Sequence, residues 1–534
     1  MHDFSAGFAK VLTWVPLLIP FGFFSSGVEA AAQSKGWVWS GGSSSVPANC
    51  TEPINCGRPG VYGTLKTPAK ANMPGGRYGA SSWVDNGGNF WLFGGIGLDS
   101  TGAPGGMDDL WEFDFGRGQW LWVGGSSTLP GTGTNQPPVF GTEGVAASAN
   151  SPGFRVNASQ WTDSEGNFWL FGNGVSNAND LWKYNPSANQ WTWAAGLNFL
   201  APGSSTGSGV YGTLGLPSSG NYPGTRSQPY SCQDMAGNVW LLGGSGIDSV
   251  GNGGLLNDLW VHDLASGTWT WMSGSDTVLP PGYTGFTAGG PNPVYGTQGV
   301  PAPGNTPGGR TRGGCWVDTG GNLWLFGGEG QHLDGGSGEW NDLWEFNPVT
   351  MNWTWIAGND AVPVRNPPAT AYGNPGVYGT LGVADHGNIP GARKDMTTWT
   401  DNQGNFWLFG GTGFDVNDTY GLLNDLWEFS PITRQWTWQG GNNATASCNS
   451  PVNFKCGNPG VYGTLGTPEA ANTPGGRDSA MGWKDSAGNL WLLGGEGYDG
   501  LGQYGNLNDL WMIEPDASGL PQTENPTLVI IFIL

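Results

Sequence analysis

Residues 77–123 read RYGASSWVD-NGG-NFWLFGG-IGLDSTGAPGGMD-DLWEFD-FGRG-QWLWV. Four short apolar and aromatic runs (Arg77 to Asp85, Asn89 to Phe93, Asp109 to Asp114 and Gln119 to Val123) are separated by Gly, Asn and Asp. Such runs read as strands, because branched and aromatic side chains suit a pleated, half-buried surface. No part of the stretch has a helical period. With Gly at 97 positions and Pro at 38, turns are plentiful along the whole chain of 534 residues and helix is not expected.

The same unit returns along the chain. Asp-Leu-Trp opens at Asp109, Asp180, Asp258, Asp342, Asp425 and Asp509, at intervals of 71, 78, 84, 83 and 84 residues. Trp-x-Trp also occurs six times, from Trp37, Trp120, Trp191, Trp269, Trp353 and Trp436. The two series are out of phase, since one Trp-x-Trp precedes every Asp-Leu-Trp and none follows the last. A repeated supersecondary unit of this kind implies stacked copies. The phase shift implies a ring in which the N-terminal segment supplies the strand that the last copy lacks.

A Gly-Gly doublet closing the second strand, then Asn-Asp-Leu-Trp-x-Tyr/Phe-Asn/Asp-Pro, then Trp, resembles the kelch repeat. Only Gly172-Asn173 alters the doublet. The resemblance covers about residues 36–515 and implies an all-β, six-bladed kelch-type β-propeller with four-stranded blades, similar to the propeller of galactose oxidase-type proteins. The expected blades are 73–125, 151–196, 222–274, 306–358, 389–441 and 473–514, with a closing strand at 36–41. The period is near 80 residues against about 50 for kelch repeats. The excess lies in the connection from each Trp-x-Trp to the next Arg and in the loop from Gly-Gly to Asp-Leu-Trp, as in Ile96 to Asp108. In an antiparallel meander both emerge on one face, so one long-loop face is expected, and loops on a rigid scaffold are where binding resides.

The N-terminus, with Lys10, the apolar run Val11 to Phe24 and the small residues of Val28 to Ala32, reads as a signal peptide over 1–32 of a bacterial-type secreted protein. A membrane anchor is the competing reading, opposed by Pro16, Pro20 and a run shorter than the about 20 residues of a span. The tail 516–534, ending TLVIIFIL, reads as a truncated downstream segment, a reading-frame artefact or a buried strand. The formal charge of −22 argues against nucleic acid. An exported or cell-surface monomer without a spanning segment in its mature form is expected. Of six cysteines, Cys50 with Cys56 and Cys448 with Cys456 are expected to form local disulfides. Cys232 and Cys315, on first strands of adjacent units, face each other or remain free thiols.

Six arginines, Arg77, Arg155, Arg226, Arg310, Arg393 and Arg477, open the first strands. They offer a ring for carboxylate or phosphate, or each pairs with the Asp of its own Asp-Leu-Trp. His332 and His386, with Glu329, Asp334, Glu339 and Asp385 nearby in sequence, break the symmetry and offer a ligand or acid–base cluster. His262 takes a slot held elsewhere by Phe113, Tyr184, Phe346 and Phe429 and reads as a packing variant. Asp99, Asp248, Asp334, Asp415 and Asp499 recur in glycine-rich loops. Turn stabilisation explains them, with Asp415, Asn417 and Asp418 as the one candidate Ca²⁺ set. No other cofactor is expected. Tyr62, Phe140, Tyr211, Tyr295, Tyr378 and Tyr462 read as pins of the long connections. No Tyr-His pair supports a copper-radical oxidase, and no catalytic constellation is recognisable. The expected function is therefore non-catalytic binding of an extracellular glycan or protein through the long-loop face. A sugar-active enzyme resembling sialic acid mutarotase, working with His332 and His386, is the alternative.

Overall fold

The computed structural model describes residues 36–47, 56–131, 133–173, 179–197, 207–278, 289–331, 337–363, 372–446 and 456–515. The signal-peptide and tail readings, together with His332, Asp334, Cys50 and Cys448, lie outside the described residues. The described strands fall into nine sheets, six of which carry an antiparallel run of four strands, and every described element is β. Sheet I comprises Ser81–Val84, Phe90–Phe93, Leu110–Asp114 and Gln119–Gly124 in spatial order. Sheets II to V repeat this order from Ser159–Thr162, Tyr230–Gln233, Gly314–Val317 and Thr397–Thr400. Sheet VI takes Met481–Lys484, Leu490–Tyr498 and Tyr504–Ile513 from the end of the chain and Val38–Gly41 from its beginning. Val38 pairs with Met512 and Trp39 with Trp511, so the strand missing from the last copy comes from the N-terminal segment.

Recurring residues make recurring geometry. In sheet I the doublet Gly94-Gly95 has φ of 70° and 84°, a left-handed bend that tilts the second strand out of the sheet. A Cβ on Gly95 would stand 2.7 Å from the Tyr78 carbonyl oxygen. Asn173 replaces the second glycine in sheet II and keeps the bend at φ 53°, which asparagine tolerates better than most residues. Beyond the bend, second and third strands continue as a hairpin on the long-loop face, such as Ile96–Leu98 with Pro104–Gly106. The strand-opening dipeptide pairs with that hairpin, Arg77 opposite Gly97. A bulge at each Leu-Trp, seen between Leu110 and Trp111, interrupts the outer ladder in all six sheets.

Aromatic rings carry the packing between sheets. Trp83 stacks on Phe168 at 5.1 Å, Trp316 on Phe406 at 5.3 Å and Trp483 on Phe90 at 5.1 Å, so sheet VI meets sheet I as sheet I meets sheet II. Buried rings of this size dominate core energetics. In sheet III the indole place is taken by Cys232, which forms a disulfide with Cys315 of sheet IV across a Cα separation of 5.8 Å. Backbone amides also join the sheets. Asn157 donates to Gly79, Gly79 to Ser479, Ser479 to Asp395, Asp395 to Arg312 and Arg312 to Gln228, at 2.7–3.1 Å. Among the described residues, no such bond joins Gln228 to Asn157, between sheets II and III.

Candidate functional site

The six arginines are occupied inside their own sheets. Arg77 donates through Nη1 and Nη2 to the two carboxylate oxygens of Asp109 at 2.7 and 2.8 Å, and through Nε and Nη1 to the carbonyls of Gly75 and Gly94. Tyr62 Oη and Trp111 Nε1 also donate to Asp109, both at 2.7 Å. The unit repeats as Arg226–Asp258–Tyr211, Arg310–Asp342–Tyr295, Arg393–Asp425–Tyr378 and Arg477–Asp509–Tyr462. Sheet II keeps Arg155–Asp180 and has Phe140 in place of the hydroxyl. Every one of these guanidinium groups is at most 2% exposed. The reading of the six as a ligand-facing ring is therefore corrected: a bidentate partner in the same sheet pairs each charge, Arg155 Nε alone of their described donors lacking a bond, and burial removes all six from solvent. The tyrosines pin their connections to the sheets, as expected, because their hydroxyls are spent on the same aspartates.

The recurring loop aspartates are likewise engaged. Asp99, Asp248, Asp415 and Asp499 each accept two backbone N–H groups within their own hairpin and one from the following connection. At Asp415 the hydroxyl of Thr445 adds a fourth donor at 3.0 Å. The carboxylate is 1% exposed, so the Ca²⁺ reading of Asp415, Asn417 and Asp418 gives way to an ordinary loop brace. No group of three or more His, Cys, Asp or Glu suited to a metal occurs among the described residues.

Asymmetry appears instead on the long-loop face. Glu329 and Glu339 stand directly opposite in a β ladder, an arrangement that repels. Lys394, reaching over from sheet V, bridges them with Nζ 2.8 Å from Glu329 Oε2 and 3.0 Å from Glu339 Oε1. Tyr420 Oη donates to Glu339 at 2.9 Å. Arg312 donates through Nε to Gln228 Oε1 at 2.6 Å, and its Nη1 lies 3.8 Å from Glu329 and 3.7 Å from Asp395. Asp478 accepts from Thr412 Oγ1 at 2.6 Å, and Tyr504 donates to Glu496. Burial pushes the Glu329 carboxyl up, but the Lys394 ammonium more than offsets it and holds the group below the usual range. Burial, then Glu496 and Asp478, push the Tyr78 phenol up to about 12. Beside this cluster lies a cavity of about 240 Å³, lined by residues from all six repeats, Arg312 and Asp395 among them.

Glu329 and Glu339, singled out in the sequence for their nearness to His332, do belong to this cluster. His386 does not join them: it is exposed, next to Asp385, which bridges Trp436 in the outermost strand of sheet V. Arg312, Lys394, Asp395 and Asp478 were missed, although each sits one or two places after a strand-opening arginine. Comparing those columns between repeats, rather than scanning for histidines, would have exposed them. His262 is buried against Trp269 as a packing variant, and its burial lowers the imidazole pKa to about 4. Cys56 and Cys456 are disulfide-bonded. The chain matches no family model and no curated protein. Among the described residues no helix is long and apolar enough to cross a membrane.

Proposed function

We propose that the six sheets are the blades of one closed kelch-type propeller, and that the chain is an exported, non-catalytic module binding an extracellular glycan through its long-loop face. Ring closure is supported by the chain of inner hydrogen bonds, which includes Gly79 to Ser479, and by the stacking of Trp483 on Phe90. Export is supported by the Cys232–Cys315 disulfide, since such bonds persist in oxidising compartments.

The observation that carries the binding reading is the contrast on one face. Groups present in every sheet are buried and mutually satisfied, whereas Lys394, Glu329, Glu339, Arg312 and Asp395 form one unrepeated cluster beside a cavity. Mixed donors and acceptors next to tyrosine rings suit a hydroxylated ligand more than an ion. The enzymatic alternative loses support because His386 lies over an outer strand, away from these acids. A glycan array probed with and without Ca²⁺ tests the reading, using the native protein and the double variant Lys394→Met with Glu329→Gln. Specific hits that the variant loses support a lectin-like face. A silent array with folded protein, or hits indifferent to the variant, overturns it.

A further inference from the structure

The third residue of each strand-opening segment lies on the axis: Gly79, Asn157, Gln228, Arg312, Asp395 and Ser479. All six adopt left-handed backbone, with φ between 49° and 65°. Glycine takes that conformation without strain, as Gly79 does, while any other residue there carries a free-energy penalty. Five of the six repeats nevertheless hold a polar side chain, and no two are alike. The bend does not require them. Five of the six positions donate a backbone N–H to the backbone C=O of a neighbouring one, Gln228 being the exception among the described residues, and those bonds would survive replacement by glycine. Strain that the fold does not need, recurring round one cavity, points to a role for the side chains themselves.

All six positions line the axial cavity of about 240 Å³. Asn157 leans over its glycine neighbour, since a Cβ on Gly79 would stand 2.5 Å from Asn157 Oδ1. Deeper in, Ser82, Gln160 and Thr398 add hydroxyls and an amide, and Ala80, Ala158 and Ala480 add small apolar patches. The only charged residues in the lining are Arg312 and Asp395, whose formal charges cancel. Arg312 has its Nε on Gln228, while its terminal nitrogens reach carboxylates only at 3.7–3.8 Å and retain donors for a guest. The occupant that fits is therefore neutral and rich in both donors and acceptors. It is also compact, because pockets for drug-sized ligands run to about 300–1,000 Å³.

We infer that this rosette is the subsite for a single neutral sugar ring, whose adjacent hydroxyls pair with the planar guanidinium, carboxylate and amide groups. The inference rests on the glycan reading of the long-loop face and places its terminal residue on the axis. The test is a panel of neutral methyl glycosides, with glycine and acetate as charged controls, titrated into the full chain by calorimetry or saturation-transfer NMR. At least one glycoside should saturate with Kd of about 1 mM or tighter. Gln228→Gly and Arg312→Gly, which relieve strain and give up only the Arg312–Gln228 bond between these two positions, should each weaken it at least about tenfold. Failure of every glycoside to bind overturns the rosette, as does binding unchanged by both glycine variants or preference for a charged control. Array hits lost in Lys394→Met with Glu329→Gln yet kept in both glycine variants would leave the face reading standing while the rosette falls.

Discussion

Two positions on the same short segment, two residues apart, behave in opposite ways. At the first, Arg77 and its five counterparts are identical, buried and closed into pairs with aspartate. At the third, Gly79 and its five counterparts are all different; Gly79 is buried, and the other five are partly exposed and strained. The difference separates what a repeat needs from what a ligand needs. A group required by every copy becomes part of the copy, whereas a group that reads one ligand has no reason to recur with sixfold symmetry.

The sharpest test of the first half is to break one pair. Asp258→Asn leaves Arg226 fully buried without its counter-charge and weakens the bonds from Tyr211 and Trp260. Removing one partner of a buried ion pair costs about 3–5 kcal/mol, so chemical denaturation should show a large loss of stability. A loss below about 1 kcal/mol would mean that the pair is ornamental. The companion variant Asp180→Asn, in the sheet with Phe140 and an unpartnered Arg155 Nε, should cost less, because fewer groups depend on that carboxylate.

Next in size is the place where a repeated position has been reassigned without becoming a site. Cys232 stands where the other sheets place Trp83, Trp161, Trp316, Trp399 and Trp483, and its bond to Cys315 replaces an aromatic contact with a covalent one. Changing both cysteines to serine should lower stability by about 2–4 kcal/mol. It should leave the proposed glycan binding unchanged, which would keep the disulfide on the structural side of the comparison.

His262 is a milder reassignment, sitting where sheet I has Phe113. Its imidazole pKa is lowered from 6.5 to about 4 by burial, so between those values the unfolded chain binds the extra proton. Stability is therefore fully present above pH 6.5 and falls as pH drops toward 4, by up to about 3 kcal/mol. His262→Phe should remove that part of the acid sensitivity and change little at pH 8. Equal pH slopes for the two proteins between pH 6.5 and 4 would show that the ring titrates normally.

Much of this was legible in the sequence, because repetition writes local rules six times over. The four strands, the place of the Gly-Gly doublet and the option of an Arg–Asp pair follow from residues within one repeat, and the borrowed N-terminal strand follows from the phase of the repeats along the chain. The depth of the pair did not follow, since exposure depends on neighbouring sheets. The axial cluster stayed hidden for the same reason: Lys394 and Glu329 are 65 residues apart and meet only through packing of sheet V on sheet IV. Nearness in sequence also misled. His386 neighbours Asp385 in sequence, yet the Asp385–Trp436 bridge places that pair over the outermost strand of sheet V and not with Glu329 and Glu339.

The smallest expected effect on stability belongs to the variable position, and its sign is the informative part. Gln228→Gly and Arg312→Gly relieve left-handed strain of about 1 kcal/mol or more but give the unfolded chain extra backbone freedom worth about 0.5–1 kcal/mol. Stability should thus be unchanged or up to about 1 kcal/mol higher, measured as a denaturation midpoint at constant slope. Residues that serve the fold do not behave this way, since almost every substitution at such positions destabilises. A rosette variant that is at least as stable as the native chain, and yet binds glycosides less well, would show side chains retained against the interest of the fold. If instead both glycine variants lose more than about 1 kcal/mol, these side chains support the axis itself. The third position would then belong with the first, as part of the scaffold.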